Sequence, residues 1–152
     1  MSVIVRANFV LASKYVLDQH SGKSMDDLKI GIETAASGIR TFKLTGPLIL
    51  NTLFEFQDQA RAESASAIVI DLSGVPYMDS AGLGAILGVL ASCQRKGRGF
   101  GISGATDRIQ TLFRVTRVDG LIPGFDTVEI AERQLSKAAV RRRIAADLSF
   151  SC

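Results

Sequence analysis

The sequence predicts an α/β domain with a mixed sheet of about five strands flanked by about four helices. Three observations carry this reading. Two stretches that alternate apolar and polar residues, "LKIGIET" and "IRTFKLTG", are separated by the turn-like "AASG", which is the pattern of a two-stranded hairpin. The run "SAIVIDLSG" is apolar and β-branched, as a strand buried on both faces should be. Downstream, strand-like and helix-like segments alternate, the arrangement of parallel crossovers covered by helices.

The chain of 152 residues is 47% hydrophobic and 22% charged, the balance of one globular domain. At this size folding removes roughly 68–70% of the unfolded surface from water, so neither metal nor disulfide is needed as a staple. Cys93 and Cys152 form no CxxC, and a lone His20 completes no Cys/His cluster, so no metal and no cofactor is expected. The opening "MSVIVRANFVLASK" breaks its apolar residues with Arg6 and Asn8, and the longest uncharged run, Ser80 to Gln94, is shorter than the roughly 20 residues of a bilayer span. A soluble, cytoplasmic chain without a membrane span is the expectation.

Residues 1–27 lack a clear period, and "MDDLKI" at Met25 marks the expected start of the domain proper. After the hairpin, "TLFEFQDQARAE" has a capping-box pattern at Thr52 and Glu55, with Leu53, Phe54 and Ala60 assigned to one helical face. The central strand is expected to end near Asp71. A second helix should run to about Lys96, followed by a strand "GFGISG" and a helix "TDRIQTLFRV" capped by Thr106. "PGFDTVEI" reads as a last strand and Ala131 to about Ala146 as a final helix. Residues 139–152 form a basic tail expected to continue that helix. From Ala131 to Cys152 five basic residues face two acidic ones, while residues 1–130 carry 13 of each sign, so the whole net charge of +3 sits in the tail. Such a cluster suits phosphate or acidic lipid, or is simply solvated; without interleaved aromatics it does not indicate direct nucleic-acid binding.

The chemistry-bearing segment is "YMDSAGLGAIL", Tyr77 to Leu87, where the central strand hands over to a helix. A hydrolase nucleophile elbow requires G-x-S-x-G and a later histidine, but Met78 precedes Ser80 by two and His20 precedes it by 60. A dinucleotide turn, G-x-G-x-x-G, fits Gly82 and Gly84 but places Leu87 at the third glycine. Two readings remain. Ser80 or Asp79 caps the helix, or Ser80 is a modification site, its hydroxyl lying beside first-turn N–H groups that would hold a phosphate. On the helix, Leu83, Ile86, Leu87, Leu90 and Cys93 share one face, while Ala81, Gly84, Ala85, Gly88 and Ser92 fall opposite. That small, uncharged strip is covered either by a partner or by a neighbouring helix of the same domain.

The segments "VIDLSGVPYMDSAGLGAILGVLASCQRKG" and "ATDRIQTLFRVTRVDGLIPGF" resemble STAS domains, in particular those of anti-sigma factor antagonists. The resemblance covers about Lys29 to Ala138 and assigns 28–138 to a single STAS-like domain. It implies a regulator that acts by binding rather than an enzyme. Its serine after the aspartate, here Ser80, would be phosphorylated by an anti-sigma factor serine kinase and restored by a phosphatase. The unmodified form would bind the kinase through Asp79, Ala81, Gly82, Gly84 and Gly88. Family members often carry an acidic residue three after the glycine of the loop following the second strand, where this chain has Ile49. The "GPL" in that loop also resembles STAS domains attached to anion transporters, which implies the alternative of a non-phosphorylated scaffold or adaptor.

Overall fold

The computed structural model describes residues 27–150. The hairpin forms as the alternation requires: β1 (Lys29–Thr34) and β2 (Arg40–Thr45) pair antiparallel, Ile32 opposite Phe42 and Gly31 opposite Lys43. β3 (Ala67–Gly74), β4 (Gly99–Ser103) and β5 (Gly124–Phe125) follow in parallel, giving a five-stranded sheet in the order β1-β2-β3-β4-β5. Four helices cover it: α1 (Leu53–Ala62), α2 (Ser80–Arg95), α3 (Asp107–Val115) and α4 (Val128–Phe150).

Period-two alternation divides the sheet's side chains between two faces. Phe42, Leu44, Ile68, Ile70, Leu72, Phe100 and Ile102 face α1–α3 in the main core, where the rings of Phe42 and Phe56 meet edge to face at 6.0 Å. On the other face Ile39, Ala67 and Val69 lie under Ala131 and Leu135 of α4. Thr41, fully buried there, donates to Glu132 at 3.2 Å, so its hydroxyl is not left unsatisfied. The close seating of β5 depends on Gly101, where a Cβ would come within 2.7 Å of the Phe125 ring.

Several expectations need correction. β3 runs to Gly74, three residues past Asp71. The last strand contains only Gly124 and Phe125, because Val128 already begins α4, and that helix runs on through the basic tail to Phe150. In α1 the buried residues are Leu53, Phe56 and Ala60. The spacing i, i+3, i+7 brings Phe56 to the core and turns Phe54 outward, leaving it 38% exposed. Thr52 makes no capping bond to α1. The expected start at Met25 and the features assigned to residues 1–26 lie outside the described residues.

Candidate functional site

Two chain segments meet at the C-terminal end of β3. One is the β3–α2 junction, and the other is the β2–α1 loop from Gly46 to Thr52. Leu48 forms a parallel bridge with Met78; its N–H donates to the Tyr77 carbonyl at 3.2 Å and its own carbonyl accepts from Asp79 N–H at 3.4 Å. The loop closes on itself through Thr52, whose hydroxyl donates to the Pro47 carbonyl at 2.7 Å and accepts from Ile49 N–H at 3.1 Å. This use of the hydroxyl is why Thr52 does not cap α1.

Asp79 is the residue that fastens the two segments. It is the N-cap of α2, in extended backbone geometry, with Oδ1 accepting from Gly82 N–H at 2.8 Å. Its second oxygen, Oδ2, accepts from Leu50 N–H at 3.1 Å. Both oxygens are therefore committed within the domain, and the carboxylate sits where the helix dipole favours negative charge. A cap of this kind contributes about 0.5–2 kcal/mol.

Ser80 follows as the first helical residue and is exposed. The N–H groups of Ser80 and Ala81 are first-turn donors with no helical acceptor. First-turn N–H groups of this kind, with the positive end of the helix, favour an anion placed beside them. Asp79 is thus the structural cap, and the neighbouring hydroxyl is left accessible.

Along α2 the exposed residues nearest Ser80 are Gly84, Gly88 and Ala91, with Ala81 and Leu87 half-buried. A Cβ added to Gly84 or Gly88 would meet nothing within 4 Å, so no part of the described domain covers these two positions. Two sequence assignments are corrected here, Ala85 in the strip and Gly82 among the partner-binding residues. Ala85 is 1% exposed, in the core with Leu83, Ile86, Val89 and Leu90, so the alternative of self-coverage holds for that edge of the strip. Gly82 is also buried, since its missing Cβ would lie 2.1 Å from the Leu48 carbonyl oxygen. It therefore presents nothing to a partner. Only glycine lets the loop approach the helix this closely.

Three side chains at this end were not singled out from the sequence. Leu50 is 55% exposed although aliphatic, and Tyr77 is 37% exposed with the Arg108 guanidinium 5.5 Å from its ring centre. The signal available in the sequence was an apolar pair, Leu48 and Leu50, in a segment with turn residues at both ends. Ile49 is half-buried between them.

A family model described as the STAS domain matches residues 34–131. The chain belongs to the STAS domain family. A similar curated relative is the anti-sigma-B factor antagonist of Staphylococcus aureus (strain NCTC 8325 / PS 47), 30% identical over 99 residues, which are 62% of this chain and 92% of the relative. Among solved structures, an anti-sigma factor antagonist from Mycobacterium paratuberculosis is 24% identical, with a TM-score of 0.62 over 72% of this chain and 95% of that one. A sulfate transporter family protein from Wolinella succinogenes is 21% identical, with a TM-score of 0.56 over 72% and 92%. These two structures share the STAS fold with this chain. In this STAS domain the D-S-A-G-L-G segment occupies the β3–α2 junction described above. No helix among its described residues is long and apolar enough to cross a membrane.

Proposed function

We infer that this STAS domain is an anti-sigma factor antagonist that works by phosphorylation-dependent partner switching. The observation that carries the reading is the placement of Ser80. Its hydroxyl is exposed at the first turn of α2, beside a carboxylate already committed to the fold, at the head of an uncovered strip formed by Gly84 and Gly88. The likeness to the staphylococcal antagonist, which spans 92% of that relative, supports the same reading.

In the unmodified state the anti-sigma factor would rest on Ala81, Gly84 and Gly88, with Leu50 and Tyr77 at the margin, and Asp79 would act indirectly by fixing the loop and the helix start. The anti-sigma factor, acting as a kinase, would transfer the γ-phosphoryl group of ATP to Ser80. The Ser80 Oγ–P bond forms, the bond from Pγ to the ADP oxygen breaks, and the hydroxyl proton passes to a base on the kinase. About −1.5 to −2 charges are then added to the centre of the contact, and the complex separates. A phosphatase would restore the hydroxyl by hydrolysis. The domain contributes the acceptor and the surface, and the chemistry belongs to the partner, so it acts as a regulator and not as an enzyme.

One feature favours the scaffold alternative. The family resemblance implies an acidic residue where this chain has Ile49, so the loop beside Ser80 offers the hydroxyl no acidic neighbour from that position. A binding titration against the cognate anti-sigma factor tests the main reading. Ser80→Ala should bind like the parent, and Ser80→Asp should bind at least about 30-fold more weakly, the effect of losing a hot spot. Equal binding by both variants would favour the scaffold.

A further inference from the structure

The switch leaves the outward face of α4 unexplained. Ala131 and Leu135 point into the sheet and are buried. On the opposite side Val140, Ile144 and Leu148 follow one another at intervals of four, 54%, 54% and 63% exposed. Interleaved with them on the same sector are Arg133, Lys137 and Arg141, all exposed. A surface helix normally turns polar and charged residues outward; this one interleaves three aliphatic side chains with three cations. The helix is also tied to a second basic segment. Arg142 donates to the Gly97 carbonyl at 3.0 Å, beside the exposed Arg95 and Lys96 at the end of α2.

We propose that this face of α4 docks on an anionic lipid bilayer, the helix lying in the headgroup plane with Val140 and Ile144 directed into the acyl boundary. The charge decides among the possible occupants. Residues 133–148 hold five basic residues and one acidic residue, so a second copy would set like charges against each other. The N-terminal 26 residues, with three basic and two acidic residues, are also net positive. An acidic surface fits. Nucleic acid would need the cations but not the aliphatic residues between them. An acidic protein would be met by aromatic anchors in a pocket, whereas the outward side chains named here are aliphatic or cationic on a ridge one helix wide. Lys and Arg can lay their carbon stems along the aliphatic residues while their heads reach lipid phosphates.

Co-sedimentation of the full chain with extruded phosphatidylcholine vesicles, with and without about 30 mol% phosphatidylglycerol, tests this. Each cation near an anionic surface favours binding by roughly fivefold, so partitioning should be at least about tenfold stronger on the anionic vesicles. It should fall by about tenfold or more between roughly 50 and 300 mM NaCl. The double variant Val140→Ser, Ile144→Ser keeps the charge and should lose about tenfold of that binding. Arg141→Glu should weaken it comparably, and it provides an independent arm if the serine pair disturbs the helix, with folding followed by thermal melting. Three results would overturn the proposal: no enrichment on anionic vesicles at low salt, full binding retained by the serine pair, or duplex DNA or an acidic peptide competing the protein off the vesicles.

Discussion

The Leu50 amide donates to Asp79 Oδ2 at 3.1 Å across 29 positions of sequence. The same carboxylate caps Gly82 N–H at 2.8 Å, so one side chain sets both the start of α2 and the position of the loop beside it. Asp79→Ala removes both acceptors and should lower stability by about 1–3 kcal/mol. Asp79→Asn keeps one carbonyl oxygen and should recover part of this. Denaturant titration of both variants measures the difference; equal stability of Asp79→Ala and the parent would mean that the carboxylate does not fasten the loop.

Two glycines of α2 separated by one residue should respond oppositely to the same change. A Cβ on Gly82 would be 2.1 Å from the Leu48 carbonyl oxygen, whereas one on Gly84 would meet nothing within 4 Å. Gly82→Ala must push loop and helix apart and should cost at least about 2 kcal/mol. Gly84→Ala should gain about 0.8–1.0 kcal/mol from helix propensity. Melting temperatures that move in the same direction for both would contradict the close approach described here.

Gly88→Arg separates a docking surface from a packing surface. The arginine enters open space, so the domain should remain folded and be slightly stabilised. Binding of the anti-sigma factor should nevertheless be lost, because a long cation then occupies the strip. A folded variant that binds normally would show the strip to be idle, and an unfolded one would place it in the core.

Ile49 offers a test of rate. A carboxylate at this position would repel an incoming phosphate, a term of roughly 1–4 kcal/mol for unit charges about 4 Å apart, depending on the effective dielectric. It could also orient the Ser80 hydroxyl, and transfer depends strongly on alignment with the γ-phosphate. Positioning should dominate, so Ile49→Asp should be phosphorylated faster in single-turnover assays while circular dichroism shows an unchanged fold. An equal or slower rate in the folded variant would mean that Ile49 is no handicap.

Burial pushes the Cys93 thiol above its ordinary value, an effect that nearby Arg98 and Lys96 only partly offset. The folded protein therefore holds the proton more tightly than the unfolded chain does, and stability should fall as the pH rises above the unfolded value near 9. At neutral pH Cys93 should resist alkylation until the protein is denatured, which peptide mapping after iodoacetamide treatment would establish. Rapid labelling in the native state would contradict its placement in the core.

Long periodic segments were legible in the sequence, as were the hairpin and the strand-to-helix junction at Ser80, because alternation and helix-start chemistry are local. Tertiary contacts decided the remainder. The Thr52 hydroxyl was recruited by Pro47, which no capping pattern reveals. Gly82, expected among the partner-binding residues, is interior because the Leu48 loop passes over it. Ala85 falls on the small-residue face by helical periodicity, yet it lies in the main core with Phe56 and Ala60 of α1. The last strand shrank to two residues because Thr127 N-caps α4, its hydroxyl accepting from Ile130 N–H. Leu50 was missed because an aliphatic residue in a loop is ordinarily taken as buried.

On the proposed function, Ser80 is the residue through which partner binding is switched. The most direct measurement is phosphosite mapping of the full chain after incubation with its cognate anti-sigma kinase and ATP, with retention of the complex followed in the same samples. One phosphate per chain, located on Ser80, is expected, with loss of the complex in proportion to its incorporation. Ser103 is buried, but Ser73 is exposed on the end of β3 and is the informative competitor. Modification at Ser73 with Ser80 untouched, or full phosphorylation of Ser80 with the complex intact, would contradict this role of Ser80.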